Sequence, residues 1–414
     1  MSAITRFALL AVVFVDLIGQ GLVFPIINTL MMDQTVGFLP ASTPLSTRQF
    51  NYGLIIGVFF LSWFLGAAYI AKLSDSIGRK KAIMICLFGA LFGYGLTIVS
   101  LFADSLWLLI VGRAITGFTA GNQPIAQAAV IDMSKTAAER ARNMGYIVAG
   151  ISAGMVAGPI IGGVLSDNNL VGDIASVQLP FYCATVLVLI TIVLVSLYFK
   201  DLRQPTQKLK FDPLEIFTLL WRIFQNPVVF RLSLVFFCFM FANNTFFIFM
   251  DNYLTSRFQI GLLGTSLAMV VLGVALATSS TFLVEPAQKA FSKITIIATA
   301  AIVMVVCALL FVAATTPVYC YILIAVFFFG FGIAYPTLLG IFSASVGENE
   351  QGWVMGITTA QFTLGAGIVS FVGGDLMSVD IRSPFFIVVA AALLALLMMS
   401  LTWRRTEIQR ITGK

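Results

Sequence analysis

Apolar positions along this chain come in long, nearly unbroken runs, and polar positions gather in short clusters of Lys, Arg, Asp, Gly and Pro between them. A helix rises about 1.5 Å per residue, so roughly 20 apolar residues cross about 30 Å of hydrocarbon. Runs of that length fall near 6–32, 52–71, 80–103, 106–131, 144–165, 178–199, 228–251, 260–284, 292–314, 318–343, 353–376 and 383–403. Helix is the required form, because backbone N–H and C=O groups find no water in lipid and must bond within their own segment. The pattern therefore predicts an all-α membrane protein of twelve transmembrane helices.

Composition removes the soluble alternative: 59% hydrophobic residues against 10% charged, with mean hydropathy +1.00, cannot be hidden inside a water-soluble core of 414 residues. The basic residues then orient the chain. With both termini in the cytoplasm, all but four of the 24 Lys and Arg residues fall on that side, the exceptions being Arg48, Arg257, Arg382 and Arg113 within a span. The net charge of +6 thus reads as a topology signal that needs no nucleic-acid partner. The first run begins at the extreme N-terminus and is expected to serve as an uncleaved signal anchor. A charged connector divides the runs six and six, giving expected domains 1–199 and 228–414 joined by a cytoplasmic linker, 200–227. Within that linker, Pro213 to Phe224 has the spacing of a short helix lying on the membrane surface. Six plus six implies a duplicated bundle with a substrate pathway near the midplane.

Enzyme chemistry finds no residues to work with. The chain has no His, no phosphate-cradling Gly-x4-Gly-Lys-Ser/Thr loop, and five cysteines without metal-ligand spacing, so neither a metal nor ATP is expected. Transport driven by an ion gradient or by the solute's own gradient is the remaining expectation, with a channel or a non-transporting membrane protein as the alternatives outside that class.

The most specific signal is Gly145-x8-Gly154-x3-Gly158-Pro159-x2-Gly162-Gly163, inside a stretch with no charge from Gly145 to Leu165. Missing side chains let helix backbones approach closely in a bilayer, and neighbouring helices tolerate the proline kink. This spacing resembles the antiporter motif in the fifth helix of drug:proton antiporters of the major facilitator superfamily. The loop Ala71-Lys72-Leu73-Ser74-Asp75-Ser76-Ile77-Gly78-Arg79-Lys80-Lys81 is similar to the superfamily signature G-x-L-A-D-R-x-G-R-R/K, with Ala71 for the usual Gly and Ser76 for the usual base. The resemblance implies a conformational latch of Asp75, Gly78 and Arg79, with Asp132 as partner for Arg79.

Charges inside the spans are few, and each is costly unless paired or wetted. Asp16 lies about ten residues into the first run, in Asp16-Leu17-Ile18-Gly19-Gln20-Gly21-Leu22-Val23-Phe24-Pro25, which resembles the first-helix pattern of tetracycline exporters. Arg113, in Gly112-Arg113-Ala114-Ile115-Thr116-Gly117, matches the family's fourth-helix arginine motif, and the run Glu139-Arg140-Ala141-Arg142 adds to the likeness. A carboxylate and a guanidinium on these two helices could neutralise one another, with Asp16 carrying the coupling proton and Arg113 tuning it. Helical spacing puts Arg113, Thr116, Ala120, Gln123 and Gln127 on one face of the fourth span, and Gln20 near Asp16 on the first. Asn243, Asn244, Thr358 and Gln361 are the uncommon polar residues of the second half. With Phe24, Phe247 and Tyr335 from the abundant aromatics, these form the expected substrate cavity. Asp251 reads as an exposed acid near the outer interface.

Taken with the resemblance, the chain is expected to be a proton-coupled exporter of small amphipathic drugs working by alternating access, or else a dedicated metabolite or siderophore carrier. A proton gradient replaces any cofactor. The expected partners are a small-molecule substrate and the lipid bilayer, the expected state is a monomer, and the expected site is a bacterial inner membrane.

Overall fold

The computed structural model describes residues 3–134, 136–200, 215–347, 350–403 and Ile408, and among them every regular element is a helix. In chain order these are α1 (Ala3–Met32), α2 (Leu45–Ile77), α3 (Arg79–Phe102), α4 (Leu106–Phe118), α5 (Asn122–Met133), α6 (Ala137–Leu165), the single turn α7 (Asn168–Val171), α8 (Leu179–Tyr198), α9 (Glu215–Gln225), α10 (Pro227–Phe258), α11 (Leu262–Phe282), α12 (Val284–Ala290), α13 (Lys293–Ala313), α14 (Pro317–Ala344), α15 (Gln351–Val379) and α16 (Ser383–Thr402). Eleven are long and apolar enough to cross a membrane. The fourth expected span is the pair α4 and α5.

Along the flanks of these helices large apolar side chains stand exposed, among them Phe88, Phe92, Phe102, Trp107, Ile190, Val193 and Leu197 in the first half and Ile302, Leu310, Ile322, Leu393 and Leu397 in the second. Such belts are aggregation surfaces in water and ordinary contacts in hydrocarbon. The chain is an integral membrane protein.

Contacts group the residues into two units. One comprises Met1–Thr43, Leu54–Asp212 and Ile260–Val270, and the other Pro44–Gly53, Pro213–Gln259 and Val271–Lys414. The first turns of α2 thus belong with the second unit, where Tyr52 donates a hydrogen bond to the Ile248 carbonyl at 2.5 Å. Of the expected linker, residues 201–214 lie outside the described residues, as does the tail from 404 apart from Ile408. α9 falls where the short surface helix is expected, Pro213 and Leu214 lying outside the described residues. Trp221 and Phe224 stand 65% and 64% exposed on it, while Arg222 pairs with Glu350 at 3.1 Å and lies over the Trp353 ring.

In the first unit the glycine stripe of α6 seats against α1. A Cβ at Gly158 would lie 2.6 Å from the Ile18 carbonyl oxygen and 3.0 Å from Gly21 Cα, and one at Gly154 would lie 2.9 Å from Leu17 Cβ. Gly162 faces Leu22, and Gly21 on α1 leaves room for the Pro159 ring. Gly163 looks elsewhere, onto Ser266 in the first turn of α11, and Gly145 is exposed with nothing near it. The motif is thus a seam at its centre only. Gly150, outside the motif, extends it toward Leu10 and Val13.

The fourth span departs from expectation, because it breaks between Phe118 and Asn122. Pro124 explains the break: its ring clashes with the carbonyl four residues back, at Ala120, and it has no N–H to give. The backbone turns instead through Ala120 N–H to Gly117 C=O at 3.0 Å and Gly121 N–H to Thr119 C=O at 2.8 Å. Hydroxyls take up carbonyls at the end of α4, Thr119 to Ile115 at 2.8 Å and Thr116 to Gly112 at 3.1 Å. Gly121 fits where a side chain would strike Ile70, and Gly117 lies against the Phe59 backbone. The continuous polar face read from the spacing of Arg113 to Gln127 is therefore divided between two helices.

Substituting Gly158 by Ala should lower stability by about 1–3 kcal/mol through overpacking against α1, whereas Gly145→Ala should be neutral. Thermal unfolding of both variants in detergent checks this, and equal effects would contradict the seam.

Candidate functional site

Halfway along α1, Asp16 sits half-buried at a cavity lined by Gly19, Gln20, Phe59, Tyr94, Arg113, Thr116, Thr119 and Ala120. The cavity measures about 20 Å³. A single water needs about 10–15 Å³ on the same measure, so the space suits water or a proton path and is far too small for an organic molecule. Gly19 is required there, since a side chain would collide with the Tyr94 hydroxyl.

The Asn122 side chain and the Gln123 backbone N–H, both from the first turn of α5, lie beside the Asp16 carboxylate. A helix leaves its first N–H groups without intrahelical partners and carries partial positive charge at that end. The broken span thus delivers an amino terminus to a carboxylate. Arg113, in contrast, is 3% exposed, with its guanidinium carbon 4.1 Å above the Phe59 ring and with Nε and Nη2 lacking hydrogen-bond partners. Among the described residues no carboxylate lies within ion-pairing distance of Arg113. The direct Asp16–Arg113 pair read from the sequence is replaced by a shared cavity: both residues line it, and an aromatic face holds the base.

Near the junction of α2 and α3, Arg79 bridges two acids. Its Nη1 lies 2.7 Å from Asp75 Oδ1 and 2.8 Å from Ser74 Oγ, and its Nε donates to Asp132 Oδ2 at 3.1 Å. Gly78 precedes α3 at φ 97°, a left-handed backbone that glycine adopts without strain. Asp132 belongs to the last turn of α5, so one helix carries the carboxylate-facing amino end and the latch acid at its other end.

The sequence matches the profile of the Major Facilitator Superfamily across residues 9–370. The chain belongs to the major facilitator superfamily. Its relatives include the class D tetracycline resistance protein of Salmonella ordonez, 28% identical over 84% of this chain and 83% of that one. The quinolone resistance protein NorA of Staphylococcus aureus is 25% identical over 92% of both. Among solved structures, the D-xylose–proton symporter superposes with TM-score 0.73 at 15% identity over the full length of both chains. The human organic anion transporter MFSD10 (TETRAN) gives 0.72 at 17%, covering 97% of this chain and 100% of that one. Superfamily members are transporters, not enzymes, and so is this chain.

The remaining candidates of this superfamily transporter are scattered. In the first unit Phe24 is buried with its ring 6.2 Å from Phe60, while Gln123 and Gln127 lie on α5 outside the cavity lining. In the second unit Asn244 donates to the Phe362 carbonyl at 2.9 Å and Thr358 to the Met355 carbonyl at 2.8 Å, so both are engaged with backbone. Asn243 and Gln361 are buried, each with a side-chain oxygen lacking a partner. Tyr335 stacks on Phe331 at 5.3 Å, and Phe247 meets Phe328 edge-on. Most of the other aromatics are core: Phe246 stacks on Phe327 at 4.1 Å and touches Phe311, Phe328 and Phe385. Asp251 corrects the sequence reading, being fully buried in α10, electrostatically close to Tyr52 and Tyr321. α10 continues two turns past it to Phe258, which keeps it from the helix end. Tyr94, Phe59 and Asn122 were missed. The Gly121-Asn122-x-Pro124 sequence was the available signal for the last.

Because Arg79 and Asp132 are only 17% and 15% exposed, a double-mutant cycle with Arg79→Lys and Asp132→Asn should give a coupling of about 1 kcal/mol in unfolding free energy. Additive effects would show that the bridge carries no energy.

Proposed function

We propose that this chain is a proton-coupled exporter of small amphipathic organic molecules, with Asp16 as the group that takes up and releases the coupling proton. One observation carries the reading: the carboxylate halfway along α1 borders a water-sized cavity and, among the described residues, makes no ion pair. An ion pair would fix the charge, whereas a carboxylate held by neutral donors can exchange a proton when water reaches it. The resistance proteins among its relatives, though only 25–28% identical, support drugs as the substrate class. Alternating access supplies the cycle: protonation on one side favours one conformation, and substrate binding on the other drives proton release. The Arg79 bridge to Asp75 and Asp132 is the latch in this scheme. The reading includes residence in a bacterial inner membrane with both termini cytoplasmic, function as a monomer and no cofactor beyond the proton gradient.

The test is proton flux in liposomes of purified protein under an imposed pH gradient, as dyes, antibiotics and iron chelators are added in turn. Several unrelated compounds should evoke proton movement, and Asp16→Asn should abolish it. A response confined to one metabolite or chelator would replace the drug reading with a dedicated carrier, and undiminished flux in Asp16→Asn would remove Asp16 from the coupling role.

A further inference from the structure

The proposed cycle uses one acid within the spans and leaves a second unused. Asp251, in the second unit, is fully buried in α10, well before that helix ends at Phe258. A charge so placed is costly in hydrocarbon unless it is paired, wetted or cancelled by a proton.

The first turns of α2, which belong to the same unit, lie against this part of α10 and α15. Tyr52 donates its hydroxyl hydrogen to the Ile248 carbonyl at 2.5 Å. A Cβ at Gly53 would strike the Ser370 carbonyl, and one at Gly374 would lie 3.0 Å from the Gln49 carbonyl oxygen and 3.2 Å from Gly53 Cα. α2 therefore runs antiparallel to α15, and equally to α10, which crosses in the same direction as α15. Residues three or four apart share a helix face. Asp251 and Asn252 follow Ile248 by one turn, and Gln49 precedes Tyr52 by one turn, so the antiparallel register sets them level.

Two features of this cluster suit a proton. Gln49 is fully buried, and both polar atoms of its amide lack a hydrogen-bond partner among the described residues, as does the amide nitrogen of fully buried Asn252. Unmet donors and acceptors of this kind are what buried water binds. Tyr52, having given its hydrogen to Ile248, offers only oxygen lone pairs to its electrostatic neighbour Asp251. It can accept from a carboxylic acid but has no hydrogen left for a carboxylate. Charged and titratable groups on the surrounding elements are few. Arg48 is buried on α2, Tyr321 of α14 is electrostatically close to Asp251, and Arg257 donates to the Ala314 carbonyl at 3.4 Å. Asp375, Asp380 and Arg382 are exposed, and α16 carries no titratable residue.

Resting on the proton-coupled reading, we propose that Asp251 is a second proton-binding carboxyl of this transporter, held with Gln49, Tyr52 and Asn252 in a wetted site toward the outer end of α10. In the orientation of that reading, this end faces the side from which protons arrive during export. The step is the addition of one proton to the carboxylate, and its loss restores the charge.

The experiment is an infrared pH titration of purified protein in liposomes, which needs no transported compound. Two titrating carboxyl bands are expected, one lost in Asp16→Asn and the other in Asp251→Asn. Tyr52→Phe should shift the frequency of the second band alone, because the protonated acid loses its acceptor. Should Asp251→Asn fail to fold, Asp251→Glu keeps a carboxyl and should displace the same band. A titrating spectrum unchanged by substitution at position 251 overturns the proposal. A band lost in Asp251→Asn but indifferent to Tyr52→Phe removes Tyr52 from the site. Loss of a band in Asp251→Asn with none lost in Asp16→Asn would instead take the coupling role from Asp16 and leave the second site standing.

Discussion

In hydrocarbon, neither a charged side chain nor a free backbone donor can stand alone, since each costs several kcal/mol when left unsatisfied. This chain contains one of each at the same place. Asp16 interrupts an apolar helix, and Pro124 interrupts the fourth span. Either feature alone would destabilise the bundle. Placed together, the two defects meet at one point, where the positive end of the half-helix lies beside the half-buried acid.

That arrangement demands accurate placement of α1, which the α6 seam provides. Gly154 and Gly158 let the two backbones come within contact distance, with Leu17, Ile18, Gly21 and Leu22 pressed against them. Leu17 and Ile18 directly follow Asp16, so the packing side and the chemical side of α1 are adjacent faces of the same turn. On the far side of the break, Gly66 and Gly117 bring α2 and α4 equally close, and Phe59 from α2 reaches Arg113. Small residues in this unit thus do two tasks, permitting close helix contact and fixing where the few polar side chains point.

Much of this was legible in the sequence because lipid simplifies the code. Hydropathy alone locates the spans, and glycine spacing alone marks α6 as a packing helix. The signature loop points to Arg79 and its acids, whose geometry follows from a tight turn at Gly78 that only glycine takes easily. What the sequence concealed depends on competition among partners in three dimensions. Spacing placed Arg113 near Asp16, yet could not show that α5 would reach the acid while an aromatic ring held the base. Helical periodicity also assumes a continuous helix, so the polar face from Arg113 to Gln127 failed where Pro124 breaks the ladder. Asp251 looked like a loop acid because the apolar run ends beside it, whereas α10 extends to Phe258 and buries it. The second unit offers fewer such signals, since its polar residues are spread among phenylalanines that serve mainly as core.

The most direct test of the account is the amide resonance of Gln123 in isotope-labelled protein in lipid, followed as a function of pH. Its N–H should shift with a single titration that vanishes in Asp16→Asn, as expected of an amide that lies beside that carboxylate. A Gln123 amide indifferent to pH, with the Arg113 Nε–H resonance titrating in its place, would mean that the acid pairs with the arginine and that the broken span has no part in holding the proton.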